Sequence, residues 1–222
     1  MEQVSNVRYD NGRGVSENYN PQNDTERLQT RMMFHFATEE HREANQLRRA
    51  LLSIIPIYAV DTVTFIDNMT SMPSEMVAHR TGLCVIKQEM LPPLPEGEFI
   101  YQMRLMTKGA GPVDILQAKY IKNEWRDLPN PFFQTKLLVM TAGQNLVCDI
   151  NIRKASYAKF ITYLPGDVKA NIDTNITHIK YIPVSIATYE KNPNGGFNFI
   201  VEPTGSLHLD QILPAVFENM TL

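Results

Sequence analysis

Residues 41–86 read HREANQLRRALLSIIPIYAVDTVTFIDNMTSMPSEMVAHRTGLCVI, and this stretch decides the fold. Its first part places apolar residues at helical spacing with polar residues between them, which predicts an amphipathic helix over 41–55. Thr38 is a candidate N-cap for this helix, and Pro56 ends it by disfavouring helical geometry at the residue before. The apolar stripe consists of Ala44, Leu47, Leu51, Ile54 and Ile55.

A strand and a second, shorter helix follow the break at the proline. Residues 57–66 are rich in β-branched and aromatic side chains, which predicts a strand. Turn-forming residues then lead to a short helix that Ser74 or Ser71 can cap, and Gly82 is a natural left-handed terminator. We expect the two helices and the strand to pack as one unit.

Three motifs in this order resemble the RNA polymerase alpha/D/subunit-3 family, the platform on which the two large catalytic subunits are assembled. The first helix matches N-x-L-R-R-x-L-L-x-x-x-P from Asn45 to Pro56, and the short helix matches E-x-x-A-H-R-x-G-L from Glu75 to Leu83. Residues 197–207 match the return strand F-x-F-x-V-E-x-x-G-S-L. The second motif favours the archaeal and eukaryotic branch over the bacterial one.

The resemblance implies an α+β fold in which a discontinuous dimerisation domain, a sheet plus two main helices, carries an inserted, mostly β domain. We place the dimerisation domain at 29–88 and 180–222 and the insertion at 89–179. Residues 1–28 are polar and turn-rich, which predicts a flexible tail. The sequence NPNGG at 192–196 predicts a hairpin turn.

The last helix, over about Leu209 to Met220, carries a second apolar stripe, and Pro214 fits only within its first turn. By the resemblance, this helix and the 41–55 helix form the dimer interface with a small partner of the subunit-11/L type. The residues alone leave an alternative, in which both stripes face their own sheet. The implied interface residues are Leu47, Leu51, Ile54, Ile212, Val216 and Phe217.

Three arginines are the polar residues that we expect to contact the second-largest and largest polymerase subunits. Arg48 and Arg49 point about 100° apart on their helix, so at least one of them faces away from the apolar seam. Arg80 lies in the short helix, and guanidinium groups suit carboxylates and carbonyls at protein interfaces. The alternative is a solvated helix face with internal ion pairs to Glu39, Glu43 or Glu75.

Some positions depart from the family pattern. Ser156 and Tyr157 stand where relatives typically have an acidic residue and a histidine. This departure and the long polar N-terminus favour a divergent relative, and both a large DNA virus and a specialised polymerase are compatible sources. A free-standing dimeric adaptor that kept the fold is the alternative function. Nucleus, cytoplasm and virion are all open as locations.

Composition excludes several classes of function. The net charge of −3 gives no basic field for reading nucleic acid, so we expect no direct DNA role. The absence of a long apolar run favours a soluble, intracellular protein without a membrane role. Cys84 and Cys148 are two in number, too few for a four-ligand zinc site, and we expect buried thiols. We find no catalytic, metal or cofactor motif, so the chain is not expected to be an enzyme by itself.

Overall fold

The computed structural model describes residues 3–91, 101–156 and 178–220, and these fall into two compact units. The first unit contains the described residues up to Ile57, Ser156, and the described residues from Tyr181 onward. The second unit contains the described residues from Tyr58 to Ala155, together with residues 178–180. Both units combine helices with antiparallel strands, so the predicted α+β class is confirmed.

In chain order, the helices and strands are β1 (Val4–Asp10), β2 (Val15–Ser16), α1 (Asp24–Gln29), β3 (Arg31–Phe36), α2 (His41–Ser53), β4 (Ile57–Asn68), α3 (Ser74–Gly82), β5 (Tyr101–Lys108), β6 (Gly111–Asp114), β7 (Lys119–Tyr120), β8 (Lys136–Met140), β9 (Asn145–Ala155), β10 (Val184–Lys191), β11 (Phe197–Pro203) and α4 (Leu209–Met220). Short 3₁₀ turns lie between some of them.

The first unit is built on a five-stranded sheet in the order β10-β11-β3-β1-β2. Alternate residues of β3 and β11 are buried, as the two-residue period of a strand requires. Phe34 stacks on Phe199 with ring centroids 4.9 Å apart. Helix α2 contacts both β10 and α4, so the apolar stripes of the two helices lie within the core of this unit.

The turn between β10 and β11 confirms the predicted hairpin. Gly195 and Gly196 both adopt positive φ angles, of 99° and 72°. The amide of Asn192 donates to the carbonyl of Gly196 over 2.9 Å, which closes the loop. A Cβ atom on Gly196 would lie 2.5 Å from Cε1 of His35, so this position needs glycine for space as well as for backbone angle.

The predicted flexible tail over residues 1–28 is wrong, because this segment contains β1, β2 and α1. Strand β1 pairs with β3, and a bulge at Asn6, whose φ is +54°, interrupts the pairing. Tyr9 of β1 is buried, and the Arg27 guanidinium donates through Nη2 to the carbonyl of Ser206 over 3.3 Å. These contacts join the segment to the first unit.

The second unit contains a four-stranded sheet in the order β4-β9-β5-β7 and a two-stranded sheet of β6 and β8. The core between them includes the fully buried residues Tyr101, Met103, Leu105, Ile150 and Ile152. Strands β8 and β9 flank a turn at Gly143, whose φ is +84°. They do not pair with each other, because β8 pairs with β6 and β9 with β5.

The division between the units differs from the expected boundary at 88/89. It falls after Ile57, so β4 and α3 lie in the second unit while α2 lies in the first. The physical reason is that β4 joins the sheet of β9, and that Val60 and Val77 are buried in the second unit's core. The expected packing of α2, β4 and α3 as one unit is therefore wrong.

The helices are confirmed, but their predicted ends are wrong in detail. The N-cap of α2 is Glu40, two residues after Thr38. The Thr38 hydroxyl accepts from the amide of Glu40 and donates to the Glu43 carboxylate, so it supports the helix start from outside. The C-cap of α3 is Leu83, a residue with right-handed φ and ψ, and Gly82 has no positive φ. Pro214 lies inside α4, beyond its first turn.

Candidate protein-interaction site

The two adjacent arginines of α2 lie on the outward side of the first unit. The Arg48 guanidinium donates to Oδ1 of Asn45 through Nε at 3.1 Å and through Nη2 at 3.0 Å. Arg49 is exposed, and its guanidinium has no hydrogen bond or ion pair within the described residues. The alternative of ion pairs from these arginines to Glu39 or Glu43 is not seen in that part of the chain.

Arg80 lies on α3, in the second unit, and its side chain is exposed. Its Nη2 donates to the carbonyl of Lys136 at 3.3 Å, which anchors the guanidinium loosely to the start of β8. The alternative ion pair to Glu75 does not form within the described residues. Arg80 therefore belongs to a different unit from the arginine pair of α2.

The residues predicted for the dimer interface divide into two sets. Leu47, Leu51, Ile212 and Val216 are buried within the first unit, as the alternative of a stripe facing its own sheet requires. Only Ile54 and Phe217 of the predicted six are partly exposed. For the buried four, the assignment to a subunit interface is corrected: they pack the helices onto their own sheet and leave no exposed area for a partner.

Sequence reasoning missed the outward face of α3. Met76 is 53% exposed and Leu83 50% exposed, while Val77 and Thr81 on the opposite side are completely buried. The spacing of 76 and 83, two helical turns, is visible in the sequence, but nothing in the spacing tells which side of a short helix faces the core.

The two cysteines are free and buried in the second unit, as predicted. Burial raises the pKa of the Cys84 thiol to about 12, against a smaller lowering effect of its hydrogen bond with Thr135. Burial likewise raises the pKa of Cys148 to about 11. Both thiols are neutral near pH 7, and neither has the thiolate character of a catalytic nucleophile.

One lysine of the second unit is held in a low-dielectric position. The Nζ of Lys180 donates to the carbonyl of Asp61 at 3.0 Å. Desolvation lowers the pKa of Lys180 to about 8, and the nearby charge of Asp61 offsets part of this effect. The group ties the end of the second unit's chain to strand β4.

The described residues contain neither a metal-binding cluster nor a membrane-spanning helix. No three His, Cys, Asp or Glu side chains in residues 3–91, 101–156 and 178–220 lie close enough together to hold a metal ion. Within the same ranges, every helix is too short or too polar to cross a bilayer.

Comparison with known proteins gives a consistent set of relatives, although no family model matches the chain. DNA-directed RNA polymerase subunit Rpo3 of Methanocaldococcus jannaschii is 26% identical over 170 residues, 77% of this chain and 74% of that subunit. The Rpo3 subunits of Pyrobaculum calidifontis and Thermococcus kodakarensis are 39% and 26% identical, over 47% and 63% of this chain. The chain spans about half the length of these last two relatives, 44% and 54%.

These relatives are all subunits of archaeal RNA polymerases. The resemblance to the alpha/D/subunit-3 family is therefore confirmed, and these archaeal relatives agree with the archaeal and eukaryotic branch that the A-H-R-x-G-L motif indicated. This chain is a relative of archaeal RNA polymerase subunit Rpo3.

Proposed function

We propose that this chain is a non-catalytic assembly subunit of a multisubunit DNA-directed RNA polymerase. The observation that carries the proposal is the similarity to archaeal Rpo3 over 77% of the chain. The Arg-Arg motif lies on a well-formed helix, α2, where Arg49 is exposed to a partner. An assembly subunit needs no active site of its own. The two buried thiols, which are neutral and lack the character of catalytic nucleophiles, are compatible with this role.

The arginines are proposed to recruit the second-largest and largest subunits. An exposed guanidinium can form two parallel hydrogen bonds with a carboxylate, which adds geometric specificity to charge attraction. Arg49 is the stronger candidate on α2, because its guanidinium has no partner within the described residues. Arg48 already bonds to Asn45, and this bond must break or be shared before Arg48 can contact another protein.

The proposed small partner of the subunit-11/L type would dock on the outer sides of α2 and α4. Four apolar side chains there retain exposed area: Leu52, Ile54, Phe217 and Met220. The buried residues beneath them hold the helix pair in place. An interface of this kind is smaller than one in which both whole stripes face the partner.

The experiment uses the tagged full chain, purified by affinity from its native source. Mass spectrometry identifies the co-purifying proteins, and an RNA-synthesis assay tests the eluate for template-dependent activity. The proposal predicts two large subunits, a small partner and RNA synthesis. A homodimer without polymerase subunits or activity contradicts it and favours the free-standing adaptor.

A matched pair of variants separates recruitment from folding. Arg49→Ala is expected to lower recovery of the large subunits about tenfold, the effect of losing about 1.4 kcal/mol at an interface. Arg42→Ala removes another exposed arginine of α2 and is expected to leave recovery unchanged. Equal loss in both variants would assign the effect to overall charge, and unchanged recovery in both would exclude Arg49 from the contact.

A further inference from the structure

Asparagine is followed by glycine at two places in the chain, Asn11–Gly12 and Asn194–Gly195. This pair is chemically labile, because glycine has no side chain to shield its backbone nitrogen from the neighbouring side-chain amide. The first pair connects β1 to β2 and the second connects β10 to β11, and both lie in the first unit. Since the two pairs are identical in sequence, their surroundings decide how they differ in reactivity.

The side chain of Asn11 is fixed by three hydrogen bonds. Its Oδ1 accepts from the amides of Arg13 at 3.0 Å and Gly14 at 3.1 Å, and its Nδ2 donates to Oε1 of Glu26 at 2.8 Å. Hydrogen bonds from Gln22 and Asn11 lower the pKa of the Glu26 carboxyl group, so the acceptor is ionised and the bond from Asn11 is charge-assisted. The Asn11 amide must break these bonds before it can rotate onto the next backbone nitrogen.

The backbone nitrogen of the glycine is also held more firmly in the first pair. The amide of Gly12 donates to the carboxylate of Asp10 at 2.8 Å, whereas the amide of Gly195 donates to the carbonyl of Asn192 at 3.1 Å. Bonds to charged acceptors are roughly twice as strong as bonds between neutral groups. Glu39 lies beside Gly195, but no hydrogen bond joins its carboxylate to the Gly195 amide.

The side chain of Asn194 lies at the tip of the β10–β11 hairpin and is exposed. The backbone amide of this residue donates to Oδ1 of Asn192 at 2.9 Å. Its side-chain amide has no hydrogen bond within the described residues. Rotation of the side chain therefore brings Cγ of Asn194 towards the nitrogen of Gly195 without the loss of any side-chain bond.

From this contrast, we propose that Asn194 is a site of spontaneous deamidation in the folded protein and that Asn11 is protected. The nitrogen of Gly195 gives its proton to water and bonds to Cγ of Asn194, and the Cγ–Nδ2 bond breaks with loss of ammonia. Water then opens the cyclic imide at either carbonyl, which leaves aspartate or isoaspartate at position 194. In the net reaction, the amide and water become a carboxylate and an ammonium ion.

The reaction changes the hairpin in two ways. Either product adds one negative charge to a turn that a carboxylate already borders, because Oε1 of Glu39 lies 3.1 Å from the position of a Cβ atom on Gly195. Isoaspartate also lengthens the backbone of the turn, which disturbs the bond from the amide of Asn192 to the carbonyl of Gly196. The inference does not depend on the proposed role in a polymerase.

Incubation of the purified full chain in mildly alkaline buffer tests the site. Peptide mapping by mass spectrometry measures the conversion at both positions, and labelling by an isoaspartyl methyltransferase identifies isoaspartate. In the folded chain, we expect Asn194 to be converted at least about tenfold faster than Asn11, because three hydrogen bonds must open at Asn11. In the chain unfolded by guanidinium chloride, we expect similar rates at the two positions.

The opposite patterns overturn the inference. Equal rates in the folded chain, or faster conversion of Asn11, would show that the hydrogen bonds do not protect it. If the folded chain keeps the amide of Asn194 while the unfolded chain loses it, the hairpin is not a modification site. The same conclusion follows if the unfolded chain loses neither amide.

A matched pair of variants tests the protection of Asn11. Glu26→Ala removes the acceptor of the Asn11 side-chain amide and is expected to increase the rate at Asn11 severalfold while the rate at Asn194 stays the same. Glu17→Ala removes another exposed glutamate of the first unit and is expected to change neither rate. Thermal unfolding of both variants checks the fold, and an unchanged rate at Asn11 in Glu26→Ala contradicts the protection.

Discussion

The exposed faces of helices α2 and α3 differ in composition. Helix α2 buries Leu47 and Leu51 in the first unit and presents a polar outer face with Arg49. Helix α3 is shorter, buries Val77 and Thr81 and keeps Met76 exposed. The buried apolar residues of α2 therefore stabilise the first unit and Val77 of α3 stabilises the second, whereas the half-exposed Met76 contributes less to stability.

The largest expected effect is on stability, and it differs between the two helices. Leu51→Ala opens a cavity in the first unit and is expected to cost about 2–5 kcal/mol. Leu83→Ala removes a similar side chain from a half-exposed position and is expected to change the free energy of unfolding by less than about 0.5 kcal/mol. Urea unfolding of both variants measures the difference, and similar losses would break the contrast between the helices.

The thiols give a probe for the second unit, where both cysteines lie. Because burial raises the pKa of Cys84 to about 12, its thiolate fraction at pH 8 is roughly a thousandfold lower than that of an exposed cysteine with a pKa near 8.5. We expect a disulfide reagent to label the native chain very slowly and the urea-unfolded chain quickly. Rapid labelling of two thiols in the native chain would show that the core around α3 opens easily.

Gly82→Ala tests the C-terminal end of α3. Gly82 has no positive φ, and a Cβ atom there would have no neighbour within 4 Å. Alanine is therefore expected to stabilise the protein by about 0.5–1 kcal/mol, through helix propensity and a less flexible unfolded chain. Gly196→Ala, at φ +72° and against His35, is the contrasting control and is expected to destabilise. If Gly82→Ala destabilises the protein instead, the result would support the left-handed conformation at Gly82 that the sequence predicts.

Lys180 is expected to change the pH dependence of stability. The folded protein releases this proton at about pH 8, and the unfolded chain releases it near the ordinary lysine value of 10.5. Between these values the unfolded state binds more protons, so this group makes stability rise with pH. The free energy of unfolding of the wild type, relative to Lys180→Met, is expected to increase from pH 8 to pH 10. A difference that stays constant over this range contradicts the desolvation of the Lys180 ammonium group.

Periodicity and turn chemistry predicted most of the fold. The helical stripe from Ala44 to Ile55, the β-branched run after Pro56 and the NPNGG turn each gave the element that the structure has. The prediction of a flexible tail over residues 1–28 was wrong because a bulge at Asn6 breaks the alternation of β1. The exposed polar residues of this strand resemble those of a tail. Which unit a strand joins depends on distant pairing partners, so the placement of β4 could not be deduced locally.

The candidate site was predictable in part. The motifs indicated Arg48, Arg49 and Arg80, and the two exposed ones, Arg49 and Arg80, lie on helices where a partner can reach them. The dimer assignment of Leu47 and Leu51 failed because a stripe at helical spacing does not say whether its own sheet or another chain covers it. The exposure of Met76 was missed because helical spacing does not tell which side of a short helix faces the core.

The measurement that most directly tests the assembly role is template-dependent RNA synthesis by the complex that co-purifies with the tagged chain, with mass spectrometry of its subunits. We expect RNA synthesis and two large polymerase subunits with the wild type, and both are expected to decrease together in Arg49→Ala. Purification of the chain without large subunits, or with large subunits whose recovery and activity are unaffected by any change at Arg49 and Arg80, would contradict the role assigned to these residues.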